Sequence, residues 1–210
     1  MNTDKLIAAL AADGKPDMPP GRMVLSAALA GFVIAAVLFF AMLGPRPDFM
    51  AAIHTPRFVF KFVVTLALAA SAAILVARAA RPAASAGPNV LLLLTPTLLV
   101  LAVVAELFLE PANSWTKWLI GHNARVCMLS IPILSLGPLA ILLVALRQGA
   151  TTEPGRAGLL AGLAAGGLGA ALYAAHCPDD SPLFVAVWYT LAIALIALIG
   201  GIAGRRMLRW

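Results

Sequence analysis

Six apolar runs, each long enough to cross a bilayer, leave this chain very few folds to choose from. They cover Met23 to Leu43, Phe58 to Ala77, Asn89 to Leu109, Cys127 to Leu146, Gly158 to Ala174 and Leu183 to Ala203. A bilayer core about 30 Å thick takes roughly 20 helical residues, and about 17 suffice for the fifth and shortest run. In lipid every backbone N–H and C=O must be paired, and none of the runs alternates like a barrel strand, so each is expected to be a helix. The whole chain is 62% hydrophobic and 11% charged, against about a quarter charged in soluble domains. Its net charge of +6 would suggest nucleic acid in a soluble protein. Here the basic residues lie between apolar runs and read as topology signals, so no direct nucleic-acid partner is expected. The expected fold is all-α, a polytopic six-helix transmembrane domain over residues 23–210 in a lipid bilayer, preceded by a segment of residues 1–22.

Orientation follows from lysine and arginine. A cytoplasmic N-terminus puts Lys5, Lys15, Arg22, Arg78, Arg81, Arg147, Arg156, Arg205, Arg206 and Arg209 inside, and leaves Arg46, Arg57, Lys61, Lys117 and Arg125 outside. The opposite orientation would reverse this two-to-one bias, so both termini are expected in the cytoplasm. Residues 1–22 are polar and mildly amphipathic, unlike a cleavable signal peptide. Asn2-Thr3-Asp4 is an N-cap followed by an acid, which starts a helix. Leu6, Ile7, Leu10 and Ala11 share a face, and Gly14, Pro16, Pro19 and Pro20 end the pattern after about ten residues. Such a helix either docks onto a partner or rests on the bilayer surface.

With six crossings, Cys127 opens the fourth helix from its outer end and Cys177 sits in the outer loop between the fifth and sixth. Both thiols are expected on the extracytoplasmic side, which is oxidising in a bacterium. Three readings stand. The cysteines form a redox pair that ties helix four to the loop. Or they bind a soft metal, copper or zinc, with His176, His122, Met128 or Asp179 as further ligands. Or they are a constitutive disulfide or two inert thiols. Near the outer end of helix three, Glu106 is expected to be paired, with Arg125 or Lys117, rather than to relay protons, and Glu110 marks the boundary. Gly158, Gly162, Gly166, Gly200 and Gly204 recur at four-residue intervals and are assigned to close helix packing. Pro132 and Pro138 in helix four, and Pro96 in helix three, are candidate kinks.

Several segments resemble a known family. They are Met1-Asn2-Thr3-Asp4-Lys5-Leu6-Ile7 through Asp13, Arg46-Pro47-Asp48, Arg125-Val126-Cys127 with Ser130-Ile131-Pro132, Ala175-His176-Cys177-Pro178-Asp179-Asp180-Ser181-Pro182 through Trp188-Tyr189, and the ending Gly204-Arg205-Arg206-Met207-Leu208-Arg209-Trp210. Together they are similar to the NrsF family of bacterial inner-membrane anti-sigma factors. The resemblance implies a six-helix inhibitor of an extracytoplasmic-function (ECF) sigma factor, not an enzyme. It implies that Cys127 and Cys177 respond to oxidative or heavy-metal stress, and that the N-terminal segment, with Asp4, Lys5, Leu6, Ile7 and Leu10, binds the sigma factor.

Two other classes compete. A membrane thiol oxidoreductase would need a Cys-x-x-Cys or a second cysteine pair to pass electrons on, and the chain has neither. A small metal transporter or efflux component would need charged residues near mid-membrane, which the runs lack.

Overall fold

The computed structural model describes residues 3–13, 18–81 and 90–208, and, within the first stretch, the side chains of 3–8. Asn2, Gly14, Lys15, Pro16, Arg209 and the side chain of Leu10 lie outside the described residues. All regular structure among those described is helical. Six helices are long and apolar enough to cross a membrane: Pro20–Met42, Pro56–Ala79, Val90–Leu109, Ala124–Leu146, Pro154–Ala174 and Pro182–Met207. They are the first to sixth spans below, and each falls on one of the expected runs. Four begin with proline, whose missing N–H would have had no partner at that position.

The N-terminal helix, Thr3–Asp13, precedes the bundle. Asp4 and Lys5 are exposed, and Leu6 and Ile7 are 42% and 58% exposed. The fourth span is one continuous helix despite Pro132 and Pro138. Pro96 differs from expectation. The third span opens with a 3-10 turn, Val90–Leu93, and its α-helix starts at Leu94. Pro96 therefore occupies a first turn, where its missing N–H breaks no ladder. The sixth span carries a π-helical turn at Val185–Tyr189 that the apolar pattern did not signal.

The fifth span is the centre of the bundle, with 78% of its apolar stretch buried against 11% for the third. Its glycines explain why. A Cβ on Gly158 would run into the backbone of Gly200 and Gly204, and one on Gly162 into the backbone at Ile196 and Ala197. Lipid tails are as apolar as leucine, so helices in a membrane associate through such close packing rather than through water exclusion. The outward face of the first span shows the complement: Leu25, Leu29, Val33, Val37 and Phe40 are exposed at near-helical spacing, a face suited to acyl chains.

Two buried clusters divide the interior. One gathers Ala80, Leu146, Ala157 and Leu208 with their neighbours. The other, at the opposite ends of the same spans, gathers Phe39, Cys127, Tyr173, Cys177, Phe184 and Tyr189.

Candidate functional site

The second cluster is capped by the loop from Ala175 to Ser181, which is tied to four parts of the chain. Beside the first span, the N–H of Arg46 donates to Ala175 O at 3.0 Å. The Arg46 guanidinium reaches Asp180 at 2.9 Å and Asp48 at 2.6 Å. This gives the Arg46-Pro47-Asp48 segment a physical role, since Asp48 and Asp180 together hold the guanidinium firmly protonated. In return Arg46 keeps the exposed Asp48 carboxyl below the usual carboxylate range. His176 Nδ1 lies 2.9 Å from Gly44 O.

From the second span comes Lys61, fully buried. Its ammonium donates to Cys177 O at 2.8 Å, pairs with Asp180, and lies 5.3 Å from the centre of the Phe58 ring. The sequence had placed Lys61 among outer topology charges. It is instead an interior cation that holds the loop, and a lone lysine inside the run Phe58 to Ala77 was the signal for this.

Glu106 of the third span is also buried. Its Oε2 accepts from Ser181 Oγ at 2.7 Å and from the Leu183 N–H at 2.9 Å. Its other oxygen lies 3.4 Å from Arg57 Nη2, which sits 2.7 Å from Glu110. Glu106 is thus paired as expected, but with Arg57 and the start of the sixth span rather than with Arg125 or Lys117. The reason is topological: Arg57 begins the second span at the same end of the bundle.

Asp179 joins the loop to the helix that carries Cys127. Its carboxylate accepts from the N–H groups of His122, at 3.0 Å, and Asn123, at 2.8 Å. The His122 ring lies 3.4 Å away. Asn123 is the N-cap of the fourth span, and its carbonyl accepts from the Cys127 N–H at 2.8 Å. A carboxylate at a helix start satisfies orphan N–H groups and complements the helix dipole. Gly121 makes room for it. At φ +59° it is in left-handed territory, and a Cβ there would meet Phe184 and Asp179.

Inside this clasp both cysteines are free and buried, in one and the same cluster. Cys177 Sγ donates to Asp179 O at 3.8 Å. Burial pushes the Cys177 thiol up, opposed in part by the Lys61 ammonium. Tyr173 and Tyr189 belong to the same cluster as the thiols, with ring centres 5.8 Å apart and both hydroxyls buried. Sequence reasoning missed Lys61, Tyr173 and Tyr189 as parts of this site.

The structure brings Cys127 and Cys177 into one buried cluster with Met128 packed against it, but the side chains of His176, His122 and Asp179 are engaged elsewhere. Among the described residues no three His, Cys, Asp or Glu side chains gather to hold a metal ion. His176 is turned to Gly44, and Asp179 is committed to the fourth span.

The NrsF family, described as negative regulator of sigma F, matches residues 10–210. The anti-sigma-F factor NrsF of Caulobacter vibrioides is 39% identical over 215 residues, covering 100% of both chains. The probable anti-sigma-F factor NrsF of Azospira oryzae is 32% identical over 213 residues, again 100% of both. No solved structure matches. With the match running through all six spans and the clasp, this chain belongs to the NrsF family of negative regulators of sigma F.

Proposed function

We propose that this protein is a bacterial inner-membrane anti-sigma factor. It holds an ECF sigma factor at the cytoplasmic face, and chemistry at Cys127 and Cys177 under oxidative or heavy-metal stress releases it. The family match supports the sigma-factor partner, and one structural observation carries the docking element: the N-terminal helix leaves Leu6 and Ile7 exposed outside the bundle. With Leu10 expected on the same face, and Asp4 and Lys5 beside it, this is an apolar stripe that a partner groove can take. The lysine and arginine bias supports cytoplasmic termini, which puts the thiol clasp on the periplasmic side.

The first span joins these two ends through about 34 Å of helix. The fourth, fifth and sixth spans also run between them. Cys127 sits on the fourth span, and Cys177 lies between the fifth and sixth. A disulfide, or a soft metal such as copper or zinc held by the two thiolates, would draw the loop toward the start of the fourth span and break the thiol hydrogen bond to Asp179. Release then requires the modified state to bind sigma less well, and each tenfold loss of affinity corresponds to about 1.4 kcal/mol.

The test is to replace Leu6, Ile7 and Leu10 together with serine in the full-length protein. Sigma binding is expected to fall at least tenfold and sigma-dependent transcription to rise without stress. Unchanged binding would move the interface to the loops or the C-terminus. A cytoplasm-active reporter fused after Trp210 should give signal, whereas activity of a periplasmic reporter there would overturn the topology.

A further inference from the structure

The two ends of the bundle treat their cations differently. At the clasp Arg46, Arg57 and Lys61 are each paired with a carboxylate. At the other end, around the cluster that holds Ala80, Leu146 and Leu208, Arg22, Arg78, Arg147 and Arg206 are exposed. Among the described residues the ion pair at that end is Arg156 with Glu153, at 3.2 Å, and no described carboxylate pairs with any of these four. Each also stands in line with the outward side of its own span. Arg22 is followed at positions three and seven by exposed Leu25 and Leu29, and Arg147 is preceded at three by Val144. Arg78 is preceded at four by Ile74, and Arg206 at four and seven by Ile202 and Ile199, all exposed. Residues three, four or seven apart share one helix face. The four cations therefore continue, past the hydrocarbon, the apolar stripes that face the acyl chains.

We propose that this rim is a binding surface for anionic phospholipid, each guanidinium taking the phosphate of a lipid whose chains lie along the stripe beside it. The N–H fork of arginine matches phosphate oxygens, and its aliphatic stem follows an apolar face while the charge reaches the headgroups. The register sets lipid apart from a protein partner. A soluble protein under the bundle would meet cations gathered about the axis, whereas these four are spread over the outer faces of the first, second, fourth and sixth spans, where acyl chains pack. Their lack of carboxylate partners favours a headgroup of net negative charge. A zwitterionic one would bring its own cation to a surface that is already positive. This partner is bound independently of any sigma factor and of the thiols at the opposite end.

The test follows thermal unfolding of the full-length protein in dodecyl maltoside as dioleoyl phosphatidylglycerol is added, with dioleoyl phosphatidylcholine, of identical chains, as the comparison. Phosphatidylglycerol should stabilise saturably, and phosphatidylcholine should give no saturable rise. Arg22→Gln, Arg78→Gln, Arg147→Gln and Arg206→Gln should each raise the half-saturating phosphatidylglycerol concentration about fivefold, and the four together should abolish the preference. The corresponding four lysine changes keep the charge and should keep the preference. Where the quadruple glutamine variant does not fold, the single variants decide. Equal stabilisation by the two lipids, or a preference for phosphatidylglycerol untouched by the glutamine changes, would overturn the assignment. Loss of sigma-factor binding by the glutamine variants with their lipid preference intact would do so too, and would make the rim a protein-docking face.

Discussion

The glycine seam between the fifth and sixth spans and the clasp over the cysteines hold the same helices together by opposite means. At the seam Gly158, Gly200 and Gly204 bring backbone against backbone. Those contacts are dispersive and indifferent to protonation, oxidation or metal. At the clasp Lys61, Glu106, Asp179, Asp180 and Arg46 meet through hydrogen bonds and ion pairs that hold only while each partner keeps its charge. A buried polar network is strong when complete and costly when one member is lost. A bundle built this way has a permanent half and a conditional half, and both cysteines lie in the conditional one.

The sharpest way to break this contrast is Lys61→Met. It strips one of two cations from Asp180, which keeps Arg46, and the donor from Cys177 O, and losing a buried charged donor typically costs up to about 3 kcal/mol. Thermal unfolding in detergent should fall accordingly, and Cys177 in the folded protein should become reactive to maleimide. If neither changes, the clasp does not hold the loop.

Gly158→Val should cost at least the roughly 1–3 kcal/mol of ordinary overpacking, since its Cβ meets the Gly200 and Gly204 backbone rather than a side chain that can yield, and should lower thermal stability while leaving Cys177 as protected as before. Exposure of Cys177 by this change would erase the distinction between the two halves. Asp179→Asn keeps the shape but removes the charge at the start of the fourth span, worth about 1 kcal/mol. Faster amide exchange in the turn before Cys127 would register it, and exchange as slow as in the parent would assign the turn's order to packing alone.

The smallest effect is that of pH. Burial raises the Cys177 thiol above its ordinary value near 9.0, so it stays protonated at neutral pH. Its maleimide rate should keep climbing beyond pH 9.0 rather than levelling there. An acid whose folded value exceeds its unfolded one lowers stability only after pH passes the unfolded value, so this group should cost the fold nothing below about pH 9. A plateau near pH 7 would mean that the Lys61 ammonium outweighs desolvation.

The spans were legible because lipid permits only helices and closed barrels, and runs that do not alternate leave the helix, placed by length and composition. The packing role of the glycines was legible for the same reason: a missing side chain at spacing four has one obvious use. The clasp was only half legible. Cys127 and Cys177 could be placed at one end of the bundle by counting crossings, but which acid meets which base depends on helix neighbours that parity does not give. Glu106 finding Arg57 instead of Arg125, and Asp179 capping a helix from another part of the chain, are contacts of this kind. Lys61 was visible as an ionisable residue inside an apolar run and was passed over as a topology signal. The π-helical turn that carries Tyr189 into the thiol cluster leaves no mark in the hydropathy pattern.

The most direct test is the affinity of the full-length protein in nanodiscs for its sigma factor, measured with the thiols reduced, oxidised by diamide or loaded with a soft metal, beside the Cys127→Ser, Cys177→Ser double variant. The account predicts at least tenfold weaker binding by the oxidised or metal-loaded protein and no response in the double variant. Equal affinity in every thiol state would contradict it and leave the clasp a purely structural staple.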